Sequence, residues 1–85
     1  MAKNYENGAI ESKEVELGKG VKLVVSVKLL ENKKFLDVRK WYMYPNQTEY
    51  MPSRKGLMMA FEDWKKVLPR VKELLEEYAD KAEAA

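Results

Sequence analysis

The chain has 85 residues and a formal net charge of +2, and it contains neither cysteine nor histidine. This composition excludes disulfide bonds, thiolate or imidazole metal sites and a histidine general base. A chain of this length forms one small domain, which buries only about 60–65% of its unfolded surface, so oligomerisation is the remaining common source of stability.

The sequence also predicts a location. No apolar run approaches the roughly 20 residues of a membrane span, and the N-terminus lacks the apolar core of a signal peptide. The absence of cysteine is compatible with a reducing compartment. We therefore expect a soluble, cytoplasmic protein that has no membrane partner.

Charge is distributed unevenly along the chain. Residues 17–56 carry nine basic and three acidic side chains, a net charge of +6, whereas residues 61–85 carry five basic and seven acidic ones, a net charge of −2. A basic half followed by an acidic half indicates a face that binds a polyanion and a separate structural element. Charge alone is equally compatible with an ordinary solvated surface.

The first half of the chain predicts a leader and two long strands. Residues 1–16 are polar without hydrophobic periodicity, and we interpret them as a flexible leader before a domain that spans residues 17–85. Apolar and polar side chains alternate from Val21 to Leu30, which predicts a half-buried strand. A hairpin connection follows, in which Asn32 can adopt a positive φ. The second predicted strand runs from Lys34 to Met43.

Two shorter strands complete the predicted sheet. Turns at Tyr44–Gln47 and Pro52–Ser53 leave Thr48–Met51 and Leu57–Met59 as short extended segments. The four strands form an antiparallel meander. With the helix described next, the predicted fold class is α+β.

From Phe61 onward the pattern predicts one long helix. Apolar residues recur at spacings of 4, 3, 4, 3 and 4, which is a heptad seam. Pro69 lies inside this helix, and because proline lacks an N–H donor we expect a kink or the separation of the first turns. We assign the seam to core and homodimer contacts; its residues are Trp64, Leu68, Val71, Leu75, Tyr78 and Ala82.

Basic and aromatic side chains are interleaved between Lys33 and Gly56. Single-stranded nucleic acid exposes both phosphates and base faces, so its binders need cations at the spacing of the backbone and flat rings for stacking. Residues two apart on a strand lie about 6.6 Å apart, close to the phosphate spacing of an extended strand. Alternation places Trp41 beside Arg39, and only a bulge between Arg39 and Tyr42 would bring Tyr42 to that face.

A series of short motifs runs through residues 17–71: V-S-V, a hairpin, L-D-V-R, W-Y-M-x-P, P-S-R-K-G and E-D-W. Their order resembles the transcriptional positive cofactor four family, whose C-terminal domain binds single-stranded DNA. The resemblance implies a four-stranded curved antiparallel sheet followed by one long helix. It also implies a twofold dimer with packed helices and two binding ridges. The lack of a Ser-rich leader fits a bacterial or viral single-domain member.

The resemblance also implies site residues, with some departures from the family pattern. Ser53 replaces a glycine of the basic turn, and the Trp41–Tyr42 order is reversed. The hairpin lacks the family's aromatic residue and Lys-Gly pair, for which Phe35 can compensate. We take Tyr42 as the stacking ring and Trp41 as a packing residue. The family's DNA contacts fall on Lys28, Lys33, Arg39, Tyr42, Arg54 and Lys55.

The leading hypothesis is a sequence-tolerant single-stranded DNA-binding homodimer that acts in transcription, replication or recombination. One alternative is a transcription cofactor that contacts polymerase or replication proteins, and another is an RNA-binding protein. Without histidine, cysteine or paired acids near the basic stretch, we expect no enzymatic activity, metal or cofactor. The candidate DNA-binding residues are Lys22, Lys28, Lys33, Phe35, Arg39, Trp41, Tyr42, Arg54 and Lys55.

Overall fold

A computed structural model describes residues 9–80, and these form four β-strands followed by one α-helix. The sheet order is β1-β2-β3-β4 and all neighbouring strands are antiparallel, so the predicted meander and the α+β class are confirmed. Within the described residues, no helix has the length and hydropathy needed to span a membrane. The elements are β1 (Ala9–Gly18), β2 (Val21–Leu30), β3 (Lys33–Tyr42), β4 (Met51–Ala60) and α1 (Phe61–Glu77).

The β2–β3 hairpin is the most regular part of the sheet. Every residue of β2 pairs with one of β3, from Val21 opposite Tyr42 to Leu30 opposite Lys33, without a register shift. The two connecting residues, Glu31 and Asn32, have φ values of 50° and 65°. Positive φ at both central positions is what a tight type I′ hairpin turn requires.

Strand β1 overturns part of the predicted leader. Residues 9–16, expected to be flexible, pair with β2 as part of a ten-residue strand that ends at Gly18. The segment is mostly charged and lacks clean alternation, but a strand is held to its neighbour by backbone N–H and C=O groups that every sequence carries. Residues 1–8, the rest of the predicted leader, lie outside the described residues.

Strand β4 replaces the two short strands that the sequence predicts. Pro52 lies inside it rather than in a turn, because β4 is at the edge of the sheet, where a missing N–H need not break a ladder. Trp41 pairs with Pro52 and Arg39 pairs with Gly56. The three residues 53–55 therefore bulge opposite the single residue Lys40.

This bulge also corrects the expectation for β3. The bulge predicted between Arg39 and Tyr42 is absent from β3, which stays in continuous register with β2. The irregularity lies instead in β4. Tyr42 therefore does not share a face of the sheet with Arg39, whereas Trp41 does.

Helix α1 is continuous through Pro69, so the expected separation of its first turns is wrong. Ala60 provides no side-chain cap, but Glu62 and Asp63 lie in the first turn, where carboxylates interact favourably with the helix dipole. The indole N–H of Trp64 donates a hydrogen bond of 2.8 Å to the carbonyl oxygen of Leu36. This bond connects the helix to β3.

The described chain encloses very little core. Its buried apolar residues are Ala9, Val24 and Ala60, and no large side chain is fully buried. Within the described part of the helical seam, Leu68 retains 50% of its accessible surface and Leu75 retains 68%, whereas Trp64 is half-buried. Ala82, the last residue of the predicted seam, lies outside the described residues. Burial of apolar surface is the main favourable term in folding, and the single chain supplies little of it.

Candidate nucleic-acid interface

The two faces of the β2–β3 hairpin differ in chemistry. On the charged face, which we define as Lys22, Val24, Ser26 and Lys28 of β2 with Lys33, Phe35, Asp37, Arg39 and Trp41 of β3, cations and rings alternate with buried small residues. The apolar face holds Leu23, Val25, Val27, Leu36 and Val38. Six of the nine predicted contact residues share the charged face: Lys22, Lys28, Lys33, Phe35, Arg39 and Trp41.

Asp37 organises the centre of the charged face. Its carboxylate, in a residue only 4% exposed, accepts hydrogen bonds from Nε of Arg39 at 3.1 Å and from Nη2 at 3.0 Å. The ammonium of Lys28 lies 3.6 Å from the same carboxylate, across the strand pair. Because two cations share one anion, the centre of this face keeps a net positive charge.

Arg39 has a third contact that fixes its plane. Its Nη1 donates to the carbonyl oxygen of Ser53 at 3.0 Å. Guanidinium carries five N–H donors, and three are engaged by Asp37 and Ser53, so one N–H remains on each terminal nitrogen. Each terminal nitrogen can therefore donate one further hydrogen bond to a phosphate oxygen.

Ser53 holds the β4 bulge against β3. Its hydroxyl donates to the carbonyl oxygen of Lys40 at 2.7 Å and accepts from the backbone N–H of Lys55 at 3.1 Å. The glycine that the family resemblance expects at this position has no hydroxyl for either bond. Gly56 ends the bulge: an added Cβ would lie 2.7 Å from the carbonyl oxygen of Val38, so only glycine permits the close strand approach.

Lys22 and Trp41 are engaged within the chain. The ammonium of Lys22 pairs with Glu14 of β1 at 3.0 Å and lies 4.3 Å from the ring centroid of Tyr50 and 5.8 Å from that of Trp41. This cluster connects β1, the hairpin and the segment before β4. Sequence reasoning included Lys22 and Trp41 as contacts but missed Tyr50 and also Glu14, whose position depends on strand β1.

The other end of the charged face is more open. Lys33, next to the hairpin turn, is exposed, and its Nζ lies 6.0 Å from the ring centroid of the half-buried Phe35. A cation beside a ring can contact a phosphate while the ring contacts a base. These two predicted residues are therefore brought together.

Tyr42 lies at the end of β3 and forms a separate cluster. Its ring is stacked with that of Tyr44, with centroids 6.2 Å apart and planes 20° from parallel, and Nζ of Lys55 lies 5.4 Å from the Tyr42 centroid. Two predicted residues, Tyr42 and Lys55, thus meet here, and Arg54 is exposed beside them in the bulge. We call Tyr42 and Tyr44 the tyrosine pair. Tyr44 was missed because it occupies the unspecified position of W-Y-M-x-P.

The described residues offer no metal centre. Within residues 9–80, no group of three or more Asp or Glu side chains is arranged to hold a metal ion.

Comparison with known proteins identifies the family of this arrangement. The family described as Transcriptional Coactivator p15 (PC4) matches residues 17–69. The chain belongs to this family. The match contains β2, β3, β4 and the first half of α1, and therefore all nine predicted contact residues. No curated protein sequence matches the chain.

Solved structures share the fold of this PC4 family member. A bacteriophage T5 homolog of the eukaryotic coactivator PC4, implicated in recombination-dependent DNA replication, aligns with a TM-score of 0.61 and 16% identity over 82% of this chain and 83% of its own. A PC4 homolog from Burkholderia pseudomallei aligns with a TM-score of 0.61 and 18% identity over 94% of this chain and 100% of its own. These phage and bacterial relatives agree with the expectation of a bacterial or viral member.

A third structure contains nucleic acid. MoSub1, solved as a DNA complex with a novel binding mode, aligns with a TM-score of 0.56 and 15% identity over 87% of this chain and 90% of its own. At such identities the structures show a shared fold and do not assign individual contacts.

Proposed function

We propose that this protein binds single-stranded DNA without sequence preference, as a cytoplasmic homodimer that acts in transcription, replication or recombination. The observation that carries the proposal is Arg39, whose guanidinium is fixed by Asp37 and Ser53 with two N–H groups left for a phosphate. The family supports DNA as the ligand. The DNA complex of MoSub1 and the replication role implicated for the phage T5 homolog point to the same class of partner.

The arrangement of charge suggests a path for the strand. Glu14 and Glu16 of β1 pair with β2 beside Lys22, so the β1 side of the charged face is partly neutralised. On the β3–β4 side, Arg39 lies between the Lys33–Phe35 pair and the bulge that carries Arg54 and Lys55. A single strand bound along β3 and the bulge would meet cations and rings in alternation, which is what stacking with backbone neutralisation requires.

Single strands fit this surface better than duplex does. Readout of a duplex requires a helix or a two-stranded ribbon that enters the major groove. The only helix among residues 9–80 carries Glu62 and Asp63 in its first turn and has no basic residue in its last turn. The helix mixes four cations with five acids, whereas the cations next to aromatic rings in the predicted contact set lie on the sheet.

A homodimer accounts for the exposed helix. Leu68, Val71 and Leu75 line an apolar groove along α1 and are 43–68% exposed in the single chain. A second copy presents the same seam, so the two seams can bury each other about a twofold axis. Because the single chain encloses almost no core, dimer formation would also supply most of its stability.

Titration of a labelled oligo-dT, in low and in higher salt, tests this function. We expect binding that weakens steeply with salt, and we expect duplex DNA of equal length to bind less tightly. Arg39→Ala should weaken binding strongly, and Arg39→Lys should restore it only in part because lysine lacks the fork. Arg70→Lys, which alters an exposed helical ion pair, is the matched control.

The same titration separates the alternatives. Absence of oligo-dT binding in low salt would overturn the proposal and leave a role in protein interaction. Tighter binding to an RNA of the same length would instead favour RNA as the ligand.

A further inference from the structure

Tyr44 is exposed without an evident role in the fold. The residue retains 60% of its accessible surface. Its ring stacks with that of Tyr42 rather than packing into a core. Exposed apolar rings that are held in one place often mark interaction sites.

The turn that carries Tyr44 fixes its position. The backbone N–H of Gln47 donates to the carbonyl oxygen of Tyr44 at 2.8 Å, and the N–H of Tyr44 donates to the side-chain oxygen of Gln47 at 3.2 Å. Pro45 has a fixed φ and narrows the conformations that the turn can adopt. The backbone of Tyr44 is therefore ordered before any ligand binds, which lowers the entropic cost of using its ring.

We propose that Tyr44 is a second stacking residue and that the tyrosine pair binds two bases of a single strand, one on the outer face of each ring. Lys55, whose ammonium lies 5.4 Å from the Tyr42 ring, contacts the phosphate next to them. This inference rests on the proposed function and extends it, because neither the family match nor the sequence pattern assigns a role to Tyr44.

The stacked arrangement leaves one outer face on each ring. The ring centroids are 6.2 Å apart and the planes are 20° from parallel, so the inner faces of the two rings are turned toward each other. Each outer face can receive one base, and the near-parallel planes let both bases stack in nearly the same orientation.

Photo-crosslinking and titration test the inference. An oligo-dT with 5-iodouracil at successive positions is irradiated with the protein, and the attached residue is identified by mass spectrometry. We expect cross-links on Tyr44 as well as Tyr42. Tyr44→Ala should weaken oligo-dT binding by about 5- to 150-fold, the equivalent of one lost base stack. Tyr44→Phe keeps the ring and should bind normally, as should Asn46→Ala in the same turn.

The outcomes separate this inference from the proposed function. If the unchanged protein fails to bind oligo-dT, the proposed function falls. If it binds but Tyr44→Ala binds equally well and no cross-link reaches Tyr44, only the inference falls. A Tyr44→Ala protein that becomes monomeric while Tyr44→Phe stays dimeric would place Tyr44 in a contact between copies and would also overturn it. Urea unfolding of each variant shows whether the turn is intact.

Discussion

The sheet and the helix differ in how they use their side chains. On the charged face, Lys28, Arg39 and Asp37 are engaged with one another, and Lys22 contacts Glu14 and two rings. On the helix, none of the seventeen residues is buried, and Leu68, Val71 and Leu75 of the seam are exposed. The charged face of the sheet is thus organised within one chain, whereas the helix buries none of its residues within that chain.

Because of this difference, DNA binding and association between copies of the chain should respond to different substitutions. Substitutions on the charged face should change how DNA is held while the oligomeric state is kept. Substitutions on the seam should change assembly first and, because the single chain has almost no core, stability with it. The four predictions below test this separation.

Leu75→Asp should have the largest effect. It places an unpaired carboxylate in the proposed dimer seam, which should cost about 3–5 kcal/mol of the free energy of dimer unfolding. Sedimentation equilibrium and urea unfolding at several protein concentrations measure the change. Lys66→Glu adds an acid on the opposite side of the helix and serves as the control. A stable monomer formed by the unchanged protein would contradict the prediction.

Trp41→Ala and Tyr42→Ala should separate packing from binding. Trp41 is half-buried and contacts Lys22, so its truncation should cost about 3 kcal/mol of unfolding free energy. Tyr42→Ala should keep most of the stability and lose about 1–3 kcal/mol of oligo-dT binding. Urea melts and oligo-dT titration measure the two quantities. The opposite pattern would make Trp41 the stacking ring, on the face that it shares with Arg39.

Asp37→Asn should reduce both stability and binding. The buried carboxylate loses its charge between Lys28 and Arg39, which should cost about 2 kcal/mol of unfolding free energy. Arg39 then loses the partner that fixes its plane, so oligo-dT binding should weaken although no phosphate contact has been removed. Glu49→Gln, in the exposed segment before β4, is the control. Unchanged affinity would show that Arg39 needs no positioning.

Lys55→Ala should have the smallest effect. It removes one phosphate contact, so binding should weaken about equally for oligo-dT, oligo-dC and mixed sequences. The slope of log affinity against log salt should fall in magnitude by about 1. Lys66→Ala, on the helix, should leave the slope unchanged. A change in base preference would argue that Lys55 contacts bases.

The elements that the sequence predicts correctly are those with a clear hydrophobic period. Val21 to Leu30 and the helical seam carry clear periods of 2 and about 3.6 residues, and both elements were predicted. Strand β1 was missed because Glu11 to Glu16 shows little apolar alternation and is held mainly by backbone pairing. The sequence pattern predicts that Pro52 ends a strand, but proline can lie within a strand at the edge of a sheet, as Pro52 does in β4.

The sequence predicts which residues make up the candidate site but not how their side chains contact one another. The sequence supplied Arg39, Tyr42 and Lys55, and alternation placed Trp41 beside Arg39. The contact from Arg39 to Ser53 spans fourteen residues and exists only because β4 bulges at that point. Tyr44 carried no motif signal, and its significance comes from the parallel ring beside it. Such relations depend on strand register, which sequence spacing does not determine.

The β4 bulge has a further consequence for solubility. A regular edge strand exposes a row of N–H and C=O groups on which another strand can pair, which is a route to aggregation. On β4, Pro52 removes one of those donors, residues 53–55 interrupt the ladder, and Arg54 and Lys55 add charge. The segment proposed to present cations to DNA thereby also protects the open edge of the sheet against joining with other sheets.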